Sequence, residues 1–436
     1  MHFLPHVISS FRELRRVSAL AMMAGIVLLA FTVLPRAQTP SAKAQSAASA
    51  RNTPKKPLLV PRSEYVGDEA CARCHEDKAE SYDKTAHHLT SQLANKNTIL
   101  GMFGSGENIM RTSNANLHFR MEAKEDQFFE AAVWGTPPNE KTRTHSLDLV
   151  IGSGQQGQSF LYWDDDQLFA LPVGYSTIMH RWINGPGYVD GTANFDRGII
   201  PRCLECHATY FESKFPSADS NVYNTANFVL GISCERCHGA GRGHVQAQER
   251  GTAAKATRAA GRAIVNPAKL SSQRRAEICG QCHGGHGAPE ALPAFSYVPG
   301  QPLGNYIHLA NSNEDVDVHG HQGELLARSK CFQASPDMTC STCHDIHKPE
   351  PDLAALSQRC LGCHKVEMTE THSKVGGALI SNCVDCHMPV LASKVVWLDI
   401  DGKQIPARFR THWIRIYSEE ERKWIAASAK NPQIFP

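Results

Sequence analysis

The sequence has almost no net charge and, beyond one segment near its N-terminus, no long apolar run. Its 45 lysines and arginines nearly balance its 43 aspartates and glutamates, which leaves a formal net charge of +2. Proteins that bind nucleic acid show a clear basic excess, so this balance excludes that class of partner. The shares of charged residues, 20%, and of hydrophobic residues, 42%, exclude a disordered polyampholyte.

The one long apolar run indicates export. Residues 17–34 carry no charge and follow a segment that contains three arginines. A basic segment, an apolar segment and a small-residue site such as Ala-Lys-Ala at 42–44 are typical of a secretory signal peptide. The run is also at the short end for a membrane-spanning helix. We expect residues 1–44 to be a signal peptide or an N-terminal anchor, residues 45–64 a disordered leader, and the remainder a soluble periplasmic or otherwise extracytoplasmic protein.

Cysteine and histidine are unusually frequent, with 15 and 22 residues. Fourteen of the cysteines occur in seven copies of Cys-x-x-Cys-His, far more than chance allows in a chain of this composition. The motif residues are Cys71, Cys74 and His75; Cys203, Cys206 and His207; Cys234, Cys237 and His238; Cys279, Cys282 and His283; Cys340, Cys343 and His344; Cys360, Cys363 and His364; and Cys383, Cys386 and His387. The odd thiol, Cys331, is left open as a buried spectator, an intermolecular disulfide partner or a reactive group.

Cys-x-x-Cys-His is the attachment signature of c-type haem. Two thiols one helical turn apart add to the two haem vinyl groups, and the histidine that follows is placed to bind iron from the proximal side. Zinc sites do not require a histidine directly after every cysteine pair. A disulfide across two residues closes too small a loop to add much stability. We therefore predict seven covalently bound haem c groups.

The spacing of the motifs predicts a fold that is built around its cofactors. One motif stands apart, and six lie within residues 203–387. So little chain cannot enclose six macrocycles in a conventional apolar core, so the porphyrins must form the interior and lie close enough for electron hopping. The predicted fold class is mainly α-helical and irregular, with a small antiparallel β insert between the first and second haems. The expected segments are a first haem segment over 65–110, a β-rich insert over 111–200, a six-haem domain over 201–390 and a C-terminal segment over 391–436 that contains a distal histidine.

Alternating apolar and polar residues predict the strands. The strand-like stretches are 117–124, 126–134, 147–153 and 158–173, with a hairpin turn at 163–167, and a further strand–turn–strand at 394–409. Residues 419–430 predict a short amphipathic helix. Gly152, Gly154 and Gly157 match G-x-G-x-x-G, but a strand follows where a dinucleotide-binding fold needs a helix. A glycine-rich turn or bulge beside a haem is therefore favoured over a nucleotide site.

Histidines outside the motifs are numerous enough to supply a sixth ligand to every iron. The favoured distal ligands are His88, His244, His321, His347, His372 and His412. His87 is an alternative to His88, His319 an alternative to His321, and Met338 a weaker candidate. His347 lies too near its own motif to reach the far side of that iron, so we expect it to serve a neighbouring haem. A surface position is the alternative for each of these histidines.

With these motifs, the sequence resembles multihaem cytochromes c of the cytochrome c554 type. The resemblance rests on residues 65–90, 233–245, 319–347 and 382–390, and it covers roughly residues 65–415. It implies distal-ligand roles for His347 and for His412 near the end of the chain. Related nitrite reductases typically have Cys-x-x-Cys-Lys at the catalytic haem, and related hydroxylamine oxidoreductases carry eight haems and a tyrosine cross-link. Neither pattern is present here.

Two functions remain open. The first is an electron carrier between a membrane donor, such as a quinol dehydrogenase, and a terminal redox partner, with membrane association through the N-terminus as a further option. The second is an oxidoreductase that acts on a small nitrogen or sulfur compound at one five-coordinate haem, for which the sequence assigns no catalytic residue. A structural or haem-storing role is a third and weaker alternative.

Overall fold

The computed structural model describes residues 59–215, 217–250, 264–284, 291–308, 315–365, 382–419 and 422. The predicted signal peptide or anchor, most of the predicted leader, His372 and nearly all of the predicted helix at 419–430 lie outside these ranges. Within them, no helix is long and apolar enough to cross a membrane.

Strands are as frequent as helices, so the prediction of a mainly helical fold is wrong. Helix accounts for 26% and strand for 28% of the structure. The sheets between the first two motifs are larger than a small insert, and two more hairpins follow the second and seventh motifs. The error has a physical reason: β-branched and aromatic residues, which favour strands, continue into the haem-rich region, for which the sequence predicts short helices and irregular chain.

The described helices are short, and six of the ten end within a Cys-x-x-Cys-His motif. The longest described helix has 12 residues. In chain order the helices are α1 Asp68–Ala72, α2 Glu76–Tyr82, α3 Pro201–Glu205, α4 Cys234–His238, α5 Arg242–Glu249, α6 Ser272–His283, α7 Gln322–Ala327, α8 Lys330–Ala334, α9 Leu353–Leu361 and α10 Cys383–His387.

The strands form antiparallel sheets. In chain order the strands are β1 Ser91–Leu93, β2 Ile109–Arg111, β3 Leu117–Lys124, β4 Gln127–Trp134, β5 Lys141–Ser146, β6 Leu149–Ile151, β7 Gly157–Asp164, β8 Gln167–Ala170, β9 Val173–Ser176, β10 Arg181–Asn184, β11 Ala208–Ser213, β12 Tyr223–Leu230, β13 Val390–Ile400 and β14 Lys403–Arg410. One sheet contains β2, β3, β4 and β5, and a second contains β1, β6, β7, β9 and β10 with β8 paired to β7. The pairs β11–β12 and β13–β14 are hairpins.

The turn predictions are confirmed. Asp165 has a φ of 52° in the tight turn between β7 and β8, and Asp401 and Gly402 have φ values of 52° and 70° between β13 and β14. Positive φ at both central residues suits a two-residue hairpin, because its twist matches that of the flanking strands. Gly152, with a φ of 107°, lies in the turn before β7, so the glycine-rich stretch joins two strands.

The principal apolar core lies between the two large sheets. Phe119, Phe160 and Phe195 are completely buried there. Alternate residues of β3 point inward, as period-2 patterning requires. Among the described residues near the later motifs, the apolar clusters are small, for example Tyr297 with Leu303 and Ile307. The space between the two large sheets is therefore filled by amino-acid side chains far more completely than the interior of the motif-rich part.

Candidate haem sites

Each Cys-x-x-Cys-His motif lies on a helical turn or at the end of a helix. The first, second, fourth and sixth motifs overlap α1, α3, α6 and α9, the third and seventh form α4 and α10, and the fifth begins with a short 3-10 turn. The His75 N–H donates to the Cys71 carbonyl at 2.9 Å, and His344 donates in the same way to Cys340 at 3.0 Å. Such a turn brings both thiols and the imidazole of a motif close together. All fifteen cysteines lie in the described ranges, and none forms a disulfide.

Three motif histidines face a histidine from elsewhere in the chain. The ring centroids of these pairs are about 6 Å apart, the separation expected when two imidazoles bind opposite sides of one metal ion through bonds of about 2 Å. The pairs are His238 with His347 at 6.1 Å, His344 with His412 at 6.1 Å, and His283 with His87 at 6.0 Å. In every pair the two rings come from different motifs or segments. These sites therefore fit an iron with two axial histidines.

Hydrogen bonds hold the Nδ1 atoms of several motif histidines. A partner on Nδ1 fixes the ring and leaves Nε2 to bind metal. The observed bonds join His238 to the Val265 carbonyl at 2.8 Å, His387 to the Arg415 carbonyl at 2.9 Å, His344 to the Glu350 carboxylate at 3.0 Å and His207 to the Thr90 hydroxyl at 3.2 Å. The residues present thus supply both the metal-facing nitrogens and the groups that orient them.

Burial keeps the facing imidazoles neutral. It lowers the pKa of His283 and of His412 to about 4 in each case, and it also lowers the pKa values of His87 and His347. Only a neutral imidazole has a lone pair to donate to a metal. These four side chains are therefore in the ligand-competent form at neutral pH.

Two predicted distal ligands, His347 and His412, face motif histidines. At the adjacent pair of histidines, His87 is the one that faces a motif, whereas His88 lies 3.4 Å from an Asp68 oxygen through Nδ1. A hydrogen bond donated by the His88 ring to the Asp68 carboxylate raises the pKa of His88. The sequence alone does not show which of His87 and His88 is the ligand, because the two side chains lie on different sides of the same short turn.

His244 and His321 are the other predicted distal ligands among the described residues. His244, on α5, lines the same cavity as His75 and His238. His321 precedes α7 and lies 3.9 Å from a Glu324 oxygen, while the neighbouring His319 packs on the Phe409 ring at 4.9 Å.

A cavity of about 1930 Å³ separates the first, third and fifth motifs. Both cysteines and the histidine of the first and third motifs line it, together with Cys279, Cys343 and His347. Pockets for small ligands usually enclose about 300–1,000 Å³. The space is therefore large enough for more than one macrocycle, and it lies where the thiols could attach them.

Thiols of different motifs also lie close to one another. A neighbouring thiol shifts the pKa of Cys71 beside Cys234, of Cys206 beside Cys282, of Cys340 beside Cys279 and of Cys360 beside Cys383. These pairs place the first motif beside the third, the second and fifth beside the fourth, and the sixth beside the seventh. Groups attached to these cysteines would be close neighbours.

Glu235 lies between the two cysteines of the third motif and binds the chain segment that precedes the first motif. Its buried carboxylate accepts hydrogen bonds from the backbone N–H groups of Val66 at 2.9 Å, Gly67 at 2.9 Å and Gly241 at 2.7 Å. Charge-assisted bonds of this kind are stronger than neutral ones. A residue between the two cysteines of one motif thus sets the position of a neighbouring motif.

A second cavity, of about 250 Å³, lies beside His207. Gly152 and Gly157 line it, together with Gln158 and Asn184. A Cβ on Gly157 would lie 2.5 Å from the Tyr175 carbonyl oxygen. Glycine is therefore required where β7 and β9 come close together beside this motif.

Comparisons with known proteins agree with the motif geometry. The family model described as cytochrome c554 and c-prime matches residues 70–114 and 188–239. The dissimilatory sulfite reductase MccA of Wolinella succinogenes is 24% identical over 352 residues, which cover 68% of this chain and 43% of that protein. The chain thus spans less than half the length of this curated relative.

A solved structure shares the fold. The outer cell wall cytochrome OcwA superposes with a TM-score of 0.53 and 15% sequence identity, and the match covers 85% of each chain.

Proposed function

We propose that this chain, a relative of the multihaem cytochromes c and so a protein with covalently bound haem c, carries seven haems and transfers electrons through them. Its donor would be a membrane protein such as a quinol dehydrogenase, and its acceptor a terminal redox partner outside the cytoplasm. Each bound haem supplies reversible Fe(III)/Fe(II) exchange. The chain's own residues attach the haems, orient the axial imidazoles and set the distances between neighbouring sites.

The facing imidazole pairs carry this proposal. A haem with two axial histidines has no open position for a substrate, so its role is electron transfer. His347 would complete the site of His238, His412 that of His344, and His87 that of His283. Because His347 follows the fifth motif but faces the third, each such ligand also ties two haem sites together.

The proximity of thiols from different motifs supports transfer from haem to haem. Cys279 and Cys282 of the fourth motif lie close enough to cysteines of the fifth and second motifs to shift the pKa values of those cysteines, and the first and third motifs share one large cavity. Electrons would therefore pass between directly adjacent macrocycles.

Multihaem c-type cytochromes are typically extracytoplasmic, which agrees with the export signal that the sequence predicts. We place the mature chain in the periplasm or an equivalent compartment, either cleaved or held at the membrane by residues 1–44. The redox partners would meet it there.

Removing a distal histidine tests the proposal. In His347→Ala we expect the haem of the third motif to lose its sixth ligand, so that a high-spin signal absent from the wild type appears in low-temperature electron paramagnetic resonance. His180→Asn is the matched control, because His180 is exposed and asparagine tolerates its φ of 49°. An unchanged low-spin spectrum in His347→Ala would contradict the assignment.

A second candidate function is an oxidoreductase that acts on a small nitrogen or sulfur compound. The cavity beside His207 favours it, since Ser159 and Ser176 line this cavity and their hydroxyls could donate hydrogen bonds to a small oxyanion. The 24% identical relative is named a sulfite reductase. A high-spin signal in the untreated wild type that shifts on addition of sulfite or nitrite would favour this function over pure electron transfer.

A further inference from the structure

Three charged side chains form a buried cluster where the second, third and fourth motifs meet. The side chains of Glu205 and Arg236 are only 6% and 4% exposed, and an Nη2 atom of Arg236 lies 3.3 Å from Oε1 of Glu205. Arg202 pairs with the other carboxylate oxygen at 2.5 Å. Two guanidinium groups thus share one carboxylate, and the cluster carries a surplus of one positive charge.

Each member of the cluster belongs to the haem-attachment sequence itself or adjoins it. Glu205 lies between Cys203 and Cys206, and Arg236 lies between Cys234 and Cys237. The thiol of Cys282, in the fourth motif, is 3.9 Å from the Glu205 carbonyl oxygen, and Arg236 donates to that same oxygen at 3.1 Å. The cluster is therefore adjacent to the attachment points of three haems.

The surroundings fix the cluster and exclude water. The backbone N–H of Phe295 donates to Oε1 of Glu205 at 2.9 Å, and the Arg236 guanidinium stacks over the Phe295 ring at 5.4 Å. Nε of Arg236 is buried and has no hydrogen-bond partner among the described residues. A charge in such a site is weakly screened, so it interacts strongly with any charge that changes nearby.

We propose that the surplus positive charge of Arg236 raises the reduction potentials of the haems at the second, third and fourth motifs. The proposal rests on the haem attachment proposed above. When one of these irons accepts an electron, Fe(III) becomes Fe(II) and the local charge falls by one. A fixed cation beside the site stabilises that more negative state. Electrons that enter the protein from its membrane donor would therefore collect on this group of haems.

Opposite charge changes at the cluster test this inference. The measurement is a spectroelectrochemical titration of the full-length holoprotein, with haem content and spin state recorded for every variant. We expect Arg236→Met to shift a subset of haems to lower potential and Glu205→Gln to shift the same subset to higher potential. Arg236→Lys should stay near the wild type because it retains the charge. Arg181 on β10 makes an exposed ion pair with Asp401 in the β13–β14 turn. Arg181→Met removes this pair and is the control, which should leave all potentials unchanged.

The outcomes separate this inference from the proposed function. A merely structural role would shift potentials in one direction in both variants or reduce haem content, and either result would overturn the inference. Unchanged potentials with seven haems bound would overturn it while leaving electron transfer intact. Absence of haem from the wild type would overturn both. If Arg236→Met fails to fold, the shift in Glu205→Gln and its absence in Arg236→Lys still decide the question.

Discussion

The orientation of each motif histidine depends on the hydrogen bond that its ring makes. Their ring nitrogens have separate roles: Nδ1 bonds to a nearby carbonyl, carboxylate or hydroxyl, and Nε2 remains for the metal. The Val265 carbonyl orients His238 in this way, and the Arg415 carbonyl orients His387. These partners come from distant parts of the chain, so they follow only from the folded structure.

Some site residues can be predicted from the sequence, whereas others can be identified only in the folded structure. The cysteine pairs and the histidines that follow them can be found from spacing alone, because attachment chemistry demands that spacing. The choice between His87 and His88 cannot, since it depends on which side of a turn faces His283. The roles of Glu205 and Glu235 were missed for the same reason. Both occupy variable motif positions, and only their burial reveals what they hold.

Glu130 provides a test at the residue scale. It is completely buried on β4, and one oxygen accepts a hydrogen bond from the Val173 N–H at 3.3 Å. Burial raises its pKa well above the ordinary value of 4.5. The folded chain therefore keeps the proton that the unfolded chain releases. The stability that this proton provides is full below the unfolded pKa and is lost as the pH rises through the folded pKa.

We accordingly expect the stability of Glu130→Gln relative to the wild type to be greater at pH 8 than at pH 5, by on the order of 1–3 kcal/mol, because glutamine never ionises in the core. The thermal midpoint of each holoprotein, followed by circular dichroism at pH 5 and at pH 8, measures this gain. The exposed Glu140→Gln is the control. A difference from the wild type that is the same at both pH values would show that Glu130 does not titrate during unfolding.

At the element scale, the strands were predictable and their extent was not. The stretches around β3, β4 and β7 alternate apolar and polar residues, and the turns at Asp165 and Asp401 have the residue types that tight hairpins need. β11 begins with Ala-Thr-Tyr-Phe directly after His207, a clear β signal. Its extent as a paired hairpin with β12 follows only from the folded structure.

Gly157 tests how tightly the elements beside His207 are packed. Because a Cβ there would lie 2.5 Å from the Tyr175 carbonyl oxygen, Gly157→Ala must push β7 and β9 apart. We expect it to destabilise the protein by about 1–3 kcal/mol and to change the haem spectrum of the second motif. Thermal unfolding and absorbance spectroscopy of the holoprotein measure the two effects.

Gly243→Ala is the matched control for that change. Gly243 lies within α5, with nothing within 4 Å of its Cβ position, and alanine favours helix over glycine by about 1 kcal/mol. We therefore expect this variant to be at least as stable as the wild type. Equal effects of the two substitutions would contradict the close packing of β7 and β9.

At the scale of the whole molecule, two kinds of interior meet in one chain. The large sheets bury aromatic and aliphatic side chains in the ordinary way. The described residues around the later motifs form only small apolar clusters and enclose a large cavity lined by motif cysteines and histidines. Attachment of haem would fill that space, so we expect haem binding and folding to be coupled in this part of the protein.

The haem content of the mature chain is the most direct test of this arrangement. The full-length protein should be purified from an extracytoplasmic fraction, and its intact mass should be measured alongside pyridine haemochrome absorbance. We predict a mass that exceeds that of the amino acids by seven haems and a matching haemochrome yield. A mass equal to that of the polypeptide alone, with no Soret band, would contradict every site described for the seven motifs.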